Sequence, residues 1–469
     1  MYLPRSLSCD TGISLFLCVL LNREYFVSLR FLSCFVLFTI LLLNFIPTAY
    51  HITSAQTPEE KIVPEPIIMD SKLRAEVFFT GLKFPTSMAF LGPNDILVLE
   101  KNNGTVKRIV NGQMLEHPVL DVDVANEWTR GMLGIAVSKN STTDATHVFL
   151  YYTESEGGKD GDDDCPNRRC IAGNEPLGNR LYRYELKDNK LVNPKLMLDL
   201  PAGPAPNHNG GVVVAGPDNN IYLVVGDLTV PKTVVSNNKT GLPADGTAGI
   251  LRVTNDGKVV GDGILGNTYP LNLYYAYGLR NSFGMDFDPV SGNLWDTENG
   301  PAYGDEINLV KPGFNSGWMQ VQGIWKPIDA VDKDKVTAGD IVLNPSGLLD
   351  FDRKGNYSNP AFTWKQTPSP TALKFFNSDK FGADYKNDMF VADTTGKIYR
   401  FELNENRTRL VLGGSLSDNV ADDKVELQDM IFAKDFEAIS DLEVGPDHNL
   451  YVISYPSGTI FKISPSVVT

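Results

Sequence analysis

Three stretches of the chain hold residue types that do chemistry. The first, Pro206-Asn207-His208-Asn209-Gly210-Gly211, sets a histidine directly ahead of an apolar run that begins at Val212. Its glycines let the backbone turn sharply and approach a ligand closely. An imidazole on such an edge can take a proton from a substrate hydroxyl, a contribution of roughly 10²- to 10⁴-fold in rate. It can equally cap a turn, and the segment alone leaves both roles open. The second stretch, "YYAYGLRNSFGMDFDP", places Arg280 and then Asn281 in an aromatic and apolar setting. A guanidinium there suits a clamp for an anion or a developing oxyanion, or else a salt bridge between sheets. The third, "DTENGPAYGDEINLVKPGFNSGWMQVQG", crowds Asp296, Glu298, Asp305 and Glu306 around the Gly300-Pro301 turn, with Trp318 following. Carboxylates and turn carbonyls are the oxygen donors Ca²⁺ takes, although the spacing is not that of an EF-hand. The run Asp160-Gly161-Asp162-Asp163-Asp164 is as acidic but reads as a solvated loop.

These stretches need a scaffold, and one phrase recurs to supply it: a turn of Gly, Pro, Asn and Asp, a short β-type run, a second turn and another run. Copies include "LGPNDILVLEKNNGTVKRIV", "AGPDNNIYLVVGD", "DPVSGNLWDTENG", "YKNDMFVADTTGKIYRFEL" and "VGPDHNLYVISYPSGTIFKIS". Helical periodicity is nearly absent. About six such units over the chain predict an all-β fold, a six-bladed β-propeller with long inserted loops spanning residues 70–469. Loops entering the innermost strands of a propeller line one mouth of its channel, and His208 stands just ahead of such a strand.

The chain of 469 residues has 41 Gly, 29 Pro, 42% hydrophobic and 21% charged residues, enough to bury a sizeable core. A formal charge of −15 argues against nucleic acid as a partner, since that binding draws on clustered Lys and Arg. Residues 1–56 differ in kind. Phe31 to Tyr50 is almost wholly apolar and follows Arg23 and Arg30, which predicts a signal peptide or N-terminal membrane anchor and an exported or cell-surface body. The membrane is then a partner only through this segment. Outside the leader remain Cys165 and Cys170, expected to pair as a disulfide in an oxidising compartment.

Taken in order, "RGMLGIAV", "HNGG", "AYGLRNSFGMDFDP", "ENGPAYGDEIN" and "FNSGW" resemble the glucose/sorbosone dehydrogenase family, soluble aldose dehydrogenases that use pyrroloquinoline quinone (PQQ) with Ca²⁺. The resemblance runs over most of the chain after about Lys72. It implies oxidation of an aldose at its C1 hydroxyl to the lactone, with His208 as the base, Arg280 at the quinone's reactive carbonyls and Asn281 beside it. It also implies Ca²⁺ on the carbonyls of Gly300 and Pro301, Asp305 ordering that loop, and an external electron acceptor. The chain departs from the family pattern mostly on the cofactor side. Arg130 stands where a Gln is usual, and Ala438 and Ser440 replace a pair of arginines. Arg130, Lys397 and Trp364 are the residues expected to contact the cofactor in their stead. Two other readings stand beside the dehydrogenase: a propeller that lost quinone binding and serves as an extracellular binding module, and a calcium-dependent lactonase-type hydrolase.

Overall fold

The recurring turn phrase folds the same way in its two Gly-Pro-Asp copies. In Gly216-Pro217-Asp218-Asn219-Asn220, Asp218 accepts the Asn220 amide at 3.1 Å and the Tyr222 hydroxyl at 2.9 Å, and Asn219 sits at φ 61°. In Gly445-Pro446-Asp447-His448-Asn449, Asp447 accepts the Asn449 amide at 3.2 Å and the Tyr451 hydroxyl at 3.0 Å, with His448 at φ 67°. Aspartate closes the turn on its own backbone and ties it to a tyrosine of the outgoing strand.

The computed structural model describes residues 63–139, 144–157, 175–229, 233–324 and 347–466. The expected leader and the Cys165–Cys170 pair lie outside them. Among the described residues there is no α-helix, only short 3₁₀ turns, and no helix long and apolar enough to cross a membrane. The strands form a β-propeller of six sheets. Their innermost strands are Pro85–Gly92, Met132–Lys139, Val213–Ala215, Gly284–Phe287, Pro370–Phe375 and Ile439–Val444. Each touches the next in that order, and Ile439–Val444 returns to Pro85–Gly92, so the sheets stand in a ring. The ring is closed by hydrogen bonds as well, because the early strand Leu73–Phe79 pairs antiparallel with the last one, Thr459–Pro465.

The apolar core is divided into wedges between neighbouring sheets. One holds Phe149, Leu181, Leu223 and Leu251; another holds Trp295, Phe362, Val391 and Phe401. Second strands such as Asn220–Val225 and Leu450–Ser454 are buried on both faces, so they read in the sequence as largely continuous apolar runs rather than alternating ones. Their C-terminal ends, with the loops entering the inner strands, gather on one face of the ring. His208, Asp227, Arg280, Glu298 and the Gly300 turn all lie at such positions.

Candidate active site

The glycines around His208 allow three segments to meet. His208 itself has φ 59°, and a Cβ on Gly226 would lie 2.3 Å from its carbonyl oxygen and 2.8 Å from Asn281 Oδ1. The Gly210 amide donates to Asn281 Oδ1 at 3.1 Å, which straps the His208 loop to the residue after Arg280. The Asp227 amide donates to the Arg280 carbonyl at 2.9 Å. A methyl group on Gly226 has nowhere to go except by displacing this loop. Gly226→Ala is therefore expected to destabilise the protein by about 1–3 kcal/mol, read by denaturant titration, and to lower turnover together with it.

The central contact pairs His208 Nδ1 with Asp227 Oδ1 at 2.6 Å, with the histidine side chain 15% exposed and that of Asp227 1%. Asp227 also accepts the Thr229 amide on Oδ1 at 2.8 Å and the Trp318 indole N–H on Oδ2 at 2.7 Å. A carboxylate surrounded by donors acts as acceptor toward the ring too, so Nδ1 carries the hydrogen and Nε2 is the basic nitrogen. Nε2 has no hydrogen-bond partner among the described residues.

Arg280 donates from Nη1 to the carbonyls of Asn299 at 2.8 Å and Gly300 at 3.0 Å, and its guanidinium carbon lies 5.5 Å from the centroid of the Trp318 ring. Burial lowers the pKa of this guanidinium, while Asp227, Glu298 and Asp305 oppose that shift. The Gly300 turn is held by Asp305, whose two oxygens accept the amides of Gly300 and Ser369, each at 2.7 Å. Burial pushes the Asp305 carboxyl up to about 7 against these hydrogen bonds. Beneath the turn, Glu298 accepts the Arg280 amide at 2.6 Å and the Ser316 hydroxyl at 2.5 Å. Glu306 faces it across the strand pair, and burial raises both carboxyls.

Among the described residues no three His, Cys, Asp or Glu side chains form a metal-binding group. A cation here would rest on neutral oxygens instead. The Gly300 carbonyl has a second lone pair beside its bond to Arg280, the Pro301 residue is exposed, and Asn299 Oδ1 is buried with no partner. Such donors fit a hard ion such as Ca²⁺.

His208, Arg280, Asn281, Gly300 and Asp305 are thus brought together, with Pro301 on the same turn. Lys397 lies on an adjoining turn: its amide donates to Asp393 at 3.1 Å, and the Thr394 amide of that turn donates to the Ser369 carbonyl at 3.2 Å. Two expected cofactor contacts are placed differently. Arg130 is 5% exposed and its guanidinium is committed to the carbonyls of Ala202, at 2.5 Å, and Ala205, at 3.3 Å, so it pins the loop leading to His208. Trp364 is 1% exposed and packed among Phe362, Tyr399 and Phe401 in a core wedge, where no ring can stack on it. Asn281 acts as the strap described above, its side chain already bonded to Gly210. Ser440 donates its hydroxyl to the Pro85 carbonyl at 2.7 Å. Asp227 carries no sequence signal beyond its place at a strand end, and Trp318 none beyond following the acidic turn.

A propeller with a carboxylate-held histidine and a half-buried arginine on one face suggests the class, and comparison with known proteins agrees. The chain belongs to the glucose/sorbosone dehydrogenase family, whose profile matches residues 82–462. It is 26% identical over 401 residues to aldose sugar dehydrogenase YliI of Escherichia coli (strain K12), covering 84% of this chain and 93% of that one. Quinoprotein glucose dehydrogenase B of Acinetobacter calcoaceticus is 27% identical over 266 residues, 53% of this chain and 52% of its own. Among solved structures, the apo-form of soluble aldose sugar dehydrogenase from E. coli superposes with a TM-score of 0.61 at 21% identity, over 84% of this chain and 100% of that one. The PQQ-bound form of aldose sugar dehydrogenase from Streptomyces coelicolor superposes with a TM-score of 0.56 at 20% identity, over 85% and 99%. These structural likenesses speak for the fold.

Proposed function

We propose that this protein oxidises the C1 hydroxyl of an aldose to the lactone, with PQQ and Ca²⁺ as cofactors, an external electron acceptor and an exported or surface-anchored body. The observation that carries this reading is the His208–Asp227 pair beside Arg280 and the Gly300 turn. His208 Nε2 takes the hydroxyl proton as the C1 hydrogen departs with its electron pair, leaving C1 doubly bonded to oxygen. Asp227 stabilises the imidazolium that forms, and Arg280 offers its N–H donors to negative charge developing on the acceptor. The bound quinone would supply the two-electron acceptor, and Ca²⁺ on the carbonyls of Gly300 and Pro301 would polarise it.

The second reading, a propeller that binds a partner without quinone chemistry, draws on the positions where the family pattern would put cofactor contacts. There Ala438 and Ser440 offer no positive charge and Arg130 is committed to backbone carbonyls. Each missing charge-assisted bond costs about 1.5–3 kcal/mol. Reconstituting the full chain with PQQ and Ca²⁺ and following dye reduction with a panel of aldoses separates the readings. Uptake with turnover is expected, and His208→Gln should abolish turnover while the cofactor stays bound. Absence of uptake at micromolar PQQ favours the binding module, and lactone hydrolysis without quinone favours the hydrolase.

A further inference from the structure

One side chain touches both groups assigned to the chemistry. Trp318 donates its indole N–H to Asp227 Oδ2 at 2.7 Å, and its ring lies under the Arg280 guanidinium at 5.5 Å. It is built in firmly. Its amide donates to the Gly278 carbonyl at 2.9 Å, its carbonyl accepts Asn237 Nδ2 at 2.8 Å, and the next amide, of Met319, donates to the Ser236 carbonyl at 2.9 Å. Asn237 and Asn315, both buried, bond each other reciprocally through their carboxamides at 2.9 and 2.8 Å. The Gly317 amide donates to Asn315 Oδ1 at 3.0 Å. The buried amide pair thereby fixes the backbone on both sides of the tryptophan.

Asp227 needs such a partner. Its Oδ1 is bonded by Thr229 on its own loop and by His208 on the loop ahead of the inner strand, two contacts to one oxygen that leave the carboxylate able to rotate about its Cα–Cβ and Cβ–Cγ bonds. The bond at Oδ2 is the one that arrives from a distant part of the chain, and it sets the plane in which Oδ1 faces Nδ1. We propose that Trp318 is a positioning residue. Through its indole N–H it holds Asp227 so that the hydrogen stays on His208 Nδ1, and through its ring it fixes Arg280 on the same side of the pocket. The catalytic part of this inference rests on the function proposed above; the positional part does not.

The test uses full-length protein labelled with ¹⁵N-histidine, in which the His208 Nδ1–H resonance is assigned by its absence from His208→Gln. Trp318→Phe keeps the ring and removes the donor. It is expected to shift that resonance or broaden it into solvent exchange, and to lower kcat by roughly ten- to a hundredfold with little change in KM. Trp318→Leu removes the ring as well and should in addition raise KM. A His208 resonance unmoved in both variants, each melting like the parent protein, overturns the inference even if turnover is lowered. A resonance that moves while the parent protein shows no aldose oxidation leaves the positioning role standing and removes the dehydrogenase reading instead.

Discussion

Asp227→Asn is expected to lower kcat by roughly 10²- to 10⁴-fold without unfolding the protein or releasing cofactor. The carboxylate accepts from three donors: His208 Nδ1 and the Thr229 amide on Oδ1, and the Trp318 indole on Oδ2. A carboxamide has one oxygen and one NH₂, so it can satisfy only one side. If its oxygen turns to Trp318, the NH₂ faces His208 Nδ1 and drives the ring hydrogen to Nε2, the nitrogen needed as base. If its oxygen turns to His208, the NH₂ confronts the indole N–H and the side chain is pushed out of plane. Either way, stabilisation of the imidazolium by a negative partner is lost. Steady-state dye reduction measures the fall in kcat, and equilibrium dialysis with PQQ measures retention of cofactor. A variant with parental kcat would remove Asp227 from the mechanism and leave His208 to act alone.

The sequence discloses those parts of this site that are carried by local backbone chemistry. His208 stands out because the glycines after it mark a close approach, and the Gly300 turn because Gly, Pro and carboxylates are crowded into one loop. The fold is legible for the same reason: each Gly-Pro-Asp turn closes through its own aspartate and so repeats in the chain as it repeats in space. Asp227 and Trp318 are not legible, because what ties them to the site is a hydrogen bond between residues 91 positions apart. Nothing in "VVGDLTV" separates that aspartate from an ordinary strand-end turn. Arg130 and Trp364 fail in the opposite direction. An arginine before a glycine and a tryptophan in an apolar strand have the same local appearance whether they face a ligand, a backbone carbonyl or a core wedge. Only the packing of the neighbouring sheet decides, and the inner edge of one sheet meets residues far away along the chain.

The acidic cluster beneath the Gly300 turn carries the other large effect, this one on stability. Asp296 is fully buried and neither of its oxygens has a hydrogen-bond partner among the described residues. Burial and then the nearby Glu298 raise its pKa well above the ordinary carboxylate range; Asn308 and Ser282 oppose this without making a bond of good geometry. The folded protein therefore keeps a proton on Asp296 at pH values where the unfolded chain has lost it. Since the native state binds more protons, stability is full below the unfolded pKa near 3.9 and falls as pH rises toward the folded value, by about 1.4 kcal/mol per pH unit for this one group. Glu306, raised by burial and by Glu298, works in the same direction. Asp296→Asn removes the titration and supplies an NH₂ group opposite Asn308, its cross-strand partner, whose Oδ1 is itself buried without a donor. The variant should gain on the parent as pH rises from about 5 to about 8. Denaturant titrations of both proteins at the two pH values, with chelator present, measure this, and parallel slopes would mean that Asp296 is ionised in the fold. In that event the cluster must hold a compensating positive charge. Arg280 is the cation already attached to it, through its amide on Glu298 and its Nη1 on the Gly300 carbonyl. The stability of the acidic cluster and the position of Arg280 would then be one property, and changes at Asp296 would register in the proposed turnover as well as in unfolding.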